Sequence, residues 1–156
     1  MVKELLALAI RKGAMITCAE SCTGGLLAAA LTDLPGSSAM LERGFVTYTN
    51  TAKVQMLGGS PATLEAHGAV SEEVAREMAQ GALQQSEAQL AVSITGIAGP
   101  GGSEHKPEGR VCFGLASAGR VHLETREFGA LGRGAVRIAA RDHALALLLG
   151  GMKALS

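Results

Sequence analysis

The chain has 156 residues, of which 47% are apolar, 18% charged and 21 glycine. That length supports a buried core and suits one domain over residues 1–156. Fourteen basic residues balance 14 acidic ones, aromatics are 3% and Trp is absent. Neither the cationic field nor the stacking rings that nucleic-acid binding uses are present.

No stretch approaches the ~18 apolar residues of a membrane span. Residues 1–13 are charged and helical with no signal core, so a cytoplasmic protein without membrane attachment is expected. Cys18, Cys22 and Cys112 are an odd number in a short chain, which argues for free thiols in a reducing compartment. Cys18 and Cys22 lack a second Cys or His pair at ligand spacing, so no metal site is expected.

Taken in order, Val2 to Lys12 reads as an amphipathic helix with Leu5, Leu6, Ala9 and Ile10 on one face, stopped by Gly13. Ala14 to Ala19 reads as a strand. The polar turn Glu20-Ser21-Cys22 follows, and Thr23 to Leu34 reads as an Ala-rich helix packed on a sheet. A turn at Leu34 to Ser38 leads to a strand over Gly44 to Tyr48. Thr49-Asn50-Thr51 caps a short helix over Ala52 to Leu57, broken by Gly58-Gly59-Ser60-Pro61, with another helical turn over Ala62 to His67.

Ser71 is a helix N-cap followed by Glu72 and Glu73, and that helix runs to about Ser86. Gln89 to Ile94 reads as a buried strand, and a Gly-rich loop extends from Thr95 to Gly109. Val111 to Ala118 and Val121 to Phe128 read as a hairpin turning at Ala118-Gly119-Arg120. Gly132 to Met152 is a long final helix. Helices interleave with the early strands and the hairpin comes late. This predicts a three-layer α/β/α sandwich with a mixed, mostly parallel sheet. Ligands in such sheets sit beyond the carboxyl ends of parallel strands, where Glu20 to Gly25, Tyr48 to Lys53 and the Gly-rich loop fall.

Several groups there carry chemistry. Ser21 is a nucleophile only if a base accompanies it. Lys53 follows a strand by one helical turn, with Tyr48 five residues before it, and serves as base if burial depresses its pKa. The opposite reading is a solvated lysine and a serine that merely caps a helix. Cys22 is a rival nucleophile, since a helix N-terminus stabilises a thiolate, but it has no partner base and reads as a packing residue. Backbone amides at Cys22, Thr23 and Gly24 suit an oxyanion, if a helix starts there. The loop residues Gly96, Ala98 and Gly99 offer a nest of amides, without the Gly-Lys-Ser/Thr ending of a P-loop. Arg133, Arg137 and Arg141 recur every four residues and share a helix face, usually a solvated arrangement.

Four motifs in order are Ala19-Glu20-Ser21-Cys22-Thr23-Gly24-Gly25, Gly44-Phe45-Val46-Thr47-Tyr48-Thr49-Asn50, His67-Gly68-Ala69-Val70-Ser71 and Thr95-Gly96-Ile97-Ala98-Gly99-Pro100-Gly101-Gly102. Together they resemble the signature of the CinA C-terminal domain family over about residues 3–150. Thr49 stands where the family usually has Ser. The stand-alone members are nicotinamide-nucleotide amidases. The resemblance implies hydrolysis of the carboxamide of nicotinamide mononucleotide (NMN), giving nicotinate mononucleotide and ammonia. It implies Ser21 as nucleophile assisted by Tyr48 and Lys53, no cofactor or metal, and a homodimer. Substrate phosphate is expected on the Gly-rich loop and Arg137, and Glu20 is expected to brace the turn. Two further readings stay open: an amidase for another small amide, and a nucleotide-binding module without turnover.

Overall fold

The computed structural model describes residues 1–156. Five strands form one mixed sheet in the order β2-β1-β3-β4-β5. β1 (Ile16–Glu20) is flanked by β2 (Leu41–Val46) and β3 (Leu90–Gly96), and both pairings are parallel. β4 (Arg110–Ser117) and β5 (Arg120–Glu127) continue the sheet as antiparallel neighbours. The sheet is therefore mixed, and β4 alone runs against the other four strands.

One face of the sheet is covered by α1 (Val2–Lys12), α2 (Leu26–Leu31) and α6 (Arg133–Ala154). Leu5, Leu27, Leu31, Val136, Ala140 and Leu148 meet Ile16, Val92 and Phe113 there in the larger core. The other face is covered by α3 (Asn50–Leu57), α4 (Pro61–His67) and α5 (Glu72–Gln84), with Leu57, Val74, Met78 and Ala82 against Ala19, Ala91 and Ala116. This is the expected three-layer arrangement.

The layer order explains several local choices. β1 and β3 are buried along nearly their whole length, which is why they read as unbroken apolar runs. α5 crosses α3 so closely that a Cβ at Gly81 would overlap the Leu57 carbonyl oxygen. Lys12 Nζ donates to the carbonyls of Met152, Lys153 and Leu155 at 2.9, 2.9 and 2.6 Å, joining the end of α1 to the exposed carbonyls that finish α6.

Several boundaries depart from the sequence reading: α2 ends at Leu31 and not Leu34, β2 ends at Val46 and not Tyr48, and the starts of both differ for physical reasons. β2 starts at Leu41, three residues before the expected Gly44, because an edge strand accommodates the mutually paired Glu42 and Arg43. α2 begins only at Leu26 instead of Thr23. Gly24 and Gly25 adopt left-handed backbone, with φ of 57° and 109°, so residues 22–25 form a turn and not a first helical turn. No helix is long and apolar enough to cross a membrane.

Candidate active site

β1 is the point at which the chain reverses its winding. The connection from β1 to β2 runs through α2 on one face, and that from β2 to β3 runs through α3, α4 and α5 on the other. The crevice beyond the carboxyl end of β1 is where such a sheet leaves room for a ligand. A cleft of about 300 Å³ opens there, lined by Ser21 and Cys22 after β1, Tyr48 and Lys53 after β2, and Thr95 to Glu104 after β3. Asn50, Ala69, Val70 and Arg133 complete its walls.

The turn that carries Ser21 is built by Glu20. This carboxylate has no solvent exposure. It accepts from the amides of Gly25, Leu27 and Ala28 at 3.1, 3.0 and 2.9 Å. It caps α2 from the preceding strand, as the expected brace does. The amides at the start of α2 are thus occupied by a protein carboxylate and are not free for a ligand. Thr23 does not serve as the cap, for its Oγ1 is buried without a hydrogen-bond partner.

Lys53 is 2% exposed. Thr49 caps α3 by accepting from Ala52 N at 3.1 Å, and this start of the helix directs Lys53 inward. Its Nζ lies 3.0 Å from Ser21 Oγ, 2.9 Å from the Thr47 carbonyl and 3.3 Å from the Tyr48 carbonyl. No carboxylate bonds to it. Burial pushes its pKa below the ordinary lysine range, opposed by the nearby Cys22 and Glu104. The three contacts suit an ammonium donating to each of them; in the neutral form two N–H groups stay on the Thr47 and Tyr48 carbonyls and the lone pair is left for the Ser21 hydroxyl to donate to.

Cys22 also faces the cleft, but burial pushes its thiol up to about 11. Desolvation outweighs the favourable backbone hydrogen bond and the Arg137 charge, so the thiol stays protonated at neutral pH. The Tyr48 side chain is half exposed, and its hydroxyl accepts from Arg133 Nη2 at 2.6 Å. Arg133 Nη1 donates to the Gly99 carbonyl at 2.7 Å. Arg133 thus spans from the Gly-rich loop to Tyr48 across the mouth of the cleft.

Of the other predicted positions, Gly96, Ala98 and Gly99 line the cleft, whereas Thr23, Gly24 and Arg137 do not. The Gly24 amide donates to the Ser21 carbonyl at 3.0 Å. Arg137 lies behind the turn, donating to the carbonyls of Cys22 and Thr23 at 3.0 and 3.3 Å. It is one helical turn beyond the residue that reaches the opening. Glu104 was not named from sequence, and Arg133 was named only as a member of the arginine stripe. The four-residue arginine spacing marked the correct face of α6 without saying which turn meets the cleft. No group of three or more His, Cys, Asp or Glu side chains is arranged to hold a metal ion.

The profile of the CinA C-terminal domain matches residues 1–152. The chain belongs to the CinA C-terminal domain family. A relative from Enterobacter agglomerans named nicotinamide-nucleotide amidohydrolase PncC is 55% identical over 136 residues, spanning 86% of this chain and 82% of its own. The protein of the same name from Escherichia coli K12 is 55% identical over 138 residues, 88% of this chain and 84% of its own. Among solved structures, a CinA superfamily protein from Klebsiella pneumoniae superposes with a TM-score of 0.94 at 35% identity, covering 99% of this chain and 96% of the other. The three-layer fold is that of the CinA superfamily.

Proposed function

We propose that this protein is a nicotinamide-nucleotide amidohydrolase. In this reading it converts NMN and water to nicotinate mononucleotide and ammonia in one catalytic domain without a cofactor. The relatives' names support the substrate. The single observation that carries the mechanism is the buried Lys53 amine, held by two carbonyls with its third contact on Ser21 Oγ.

Ser21 Oγ attacks the carboxamide carbon while its proton passes directly to Lys53 Nζ. The direct route is favoured over a Tyr48 relay because the Tyr48 hydroxyl is bonded to Arg133. The tetrahedral oxyanion falls near the Cys22 amide, which lies on the cleft and is bonded to no other residue. One such donor is worth ~3 kcal/mol in a well-measured case. Lys53 returns its proton to the departing nitrogen and ammonia leaves, giving an ester on Ser21. Water, deprotonated by Lys53, hydrolyses that ester. Arg133 and the amides of the Gly-rich loop are assigned to the phosphate, because Arg133 and not Arg137 lines the cleft.

Tyr48 then shapes the wall through its carbonyl to Lys53 and its hydroxyl to Arg133. The reading extends to a cytoplasmic homodimer, in keeping with three free cysteines and an exposed Val46 on the edge strand. The test is ammonia release from NMN together with intact-protein mass spectrometry of quenched turnover. A nicotinate-mononucleotide adduct on Ser21, absent in Ser21→Ala, is expected. Turnover by Ser21→Ala at the wild-type rate would overturn the assignment.

A further inference from the structure

Eighteen residues line the cleft, and three of them carry formal charge: Lys53, Arg133 and Glu104. Lys53 and Arg133 have partners described above. Glu104 has none, for no hydrogen bond or ion pair involves its carboxylate. The next acid along the loop, Glu108, accepts from the Gly101 amide at 2.6 Å. Glu104 is therefore the cleft's one unengaged anion.

Its backbone is held by the chain around it, while its side chain is exposed at the cleft. Ser103 and Lys106 exchange backbone hydrogen bonds of 3.0 and 2.8 Å. Glu104 and His105 between them take left-handed backbone, with φ of 52° and 63°. Lys106 Nζ donates to the His67 and Val70 carbonyls, each at 2.6 Å, and ties this turn to the end of α4. Glu104 Oε2 and Lys106 Nζ both rest against Gly68, where any Cβ would overlap the carboxylate, although the two charges form no ion pair. Without a ligand, this arrangement works against the chemistry. The Glu104 charge, on the same cleft as Lys53, favours the ammonium form, and the base must be neutral. A ligand that brings positive charge to the same place reverses that penalty.

We propose that Glu104 is the specificity residue for a cationic pyridinium ring, so that the cleft selects carboxamides on an N-alkylated, positively charged ring over neutral ones. This rests on the amidase reading above. The ligand it fits is a zwitterion, with the ring cation toward Glu104 and the phosphate anion toward Arg133. Charge of opposite sign at two points orients the nucleotide in one direction, with the carboxamide at Ser21. Binding the cation neutralises Glu104 as Lys53 takes up its role as base, so the charged substrate favours the active form of the base. The other ionisable groups near Lys53 and Glu104 are Cys22, Tyr48, Arg133 and Lys106.

The experiment compares wild type with Glu104→Gln, which keeps the shape and removes the charge. NMN is the cationic ligand. Its reduced form, with a neutral dihydropyridine ring and the same carboxamide, ribose and phosphate, is the competitive inhibitor. KM for NMN should rise about fivefold, ~1 kcal/mol, the upper range for a solvent-exposed ion pair. The inhibition constant of the reduced nucleotide should stay the same. The acid limb of kcat/KM should move to lower pH in Glu104→Gln, because a negative charge that raises the Lys53 pKa is gone. Equal weakening of both nucleotides, or no change in either, would overturn the proposal. If wild type releases no ammonia from NMN, the amidase reading fails instead. Calorimetric titration of both proteins with the two nucleotides then still decides the charge preference.

Discussion

Glu20 gives the sharpest test of how the fold builds the site. Its two oxygens accept from three backbone amides, and the Cys18 thiol donates to Oε2 at 3.7 Å. Glu20→Gln preserves volume and one acceptor oxygen. That oxygen can keep Gly25 and Leu27, but the new NH2 group then points a donor at the Ala28 amide. The Ala28 bond and the Cys18 contact are lost, two bonds become neutral, and the part-buried Ala28 amide is left facing a donor. Bonds to charged groups are worth ~1.5–3 kcal/mol each, so the net loss is about 2–4 kcal/mol. For a chain of this size that is a fall in Tm of roughly 5–12 °C. The measurement is urea unfolding at neutral pH, read as a lower midpoint at unchanged slope. Because Ser21 is the next residue, kcat should fall at least ~10-fold while KM changes little. A stability change below ~0.5 kcal/mol would refute the claim that Glu20 holds the turn.

Cys22→Ala should keep kcat within about threefold, since the buried thiol is protonated at neutral pH; a loss as complete as that of Ser21→Ala would move the nucleophile to Cys22. Gly81→Ala should cost at least ~2 kcal/mol in urea unfolding, because the added methyl overlaps the Leu57 carbonyl where α5 crosses α3; near-neutral behaviour would show that the two helices separate freely. Stability should rise with pH between the lowered folded pKa of Lys53 and its ordinary unfolded value, because the unfolded chain holds more protons across that window. Lys53→Met should abolish this rise, and an unchanged pH dependence would remove Lys53 as its source.

The strands and helices were legible wherever local chemistry agrees with tertiary demand. Ser71 caps α5 by accepting from Val74 N at 3.2 Å, and Gly13 ends α1 in left-handed backbone. Those signals need no distant partner. The start of α2 was misread because its cap comes from a carboxylate on β1, five to eight residues upstream of the amides it accepts from. β2 was read starting three residues late because an edge strand tolerates charge that a central strand would not, and ending two residues late, at Tyr48 and not Val46. At the site, Ser21 and Lys53 are 32 residues apart, and the strand-end rule pointed to both. What that rule lacks is direction. It did not say that α6 meets the cleft at Arg133 and passes behind it at Arg137. It also did not say that a loop pinned by Lys106 returns Glu104 to the cleft.

The central claim is that Lys53 is a neutral amine at working pH and takes the Ser21 proton. Its ionisation is read directly by NMR titration of the Lys53 side chain in the free enzyme, with Lys53→Met assigning the resonance. The account predicts a pKa below the ordinary lysine range that coincides with the acid limb of kcat/KM for NMN. A Lys53 pKa at or above the ordinary range, with turnover intact several units below it, would contradict the account.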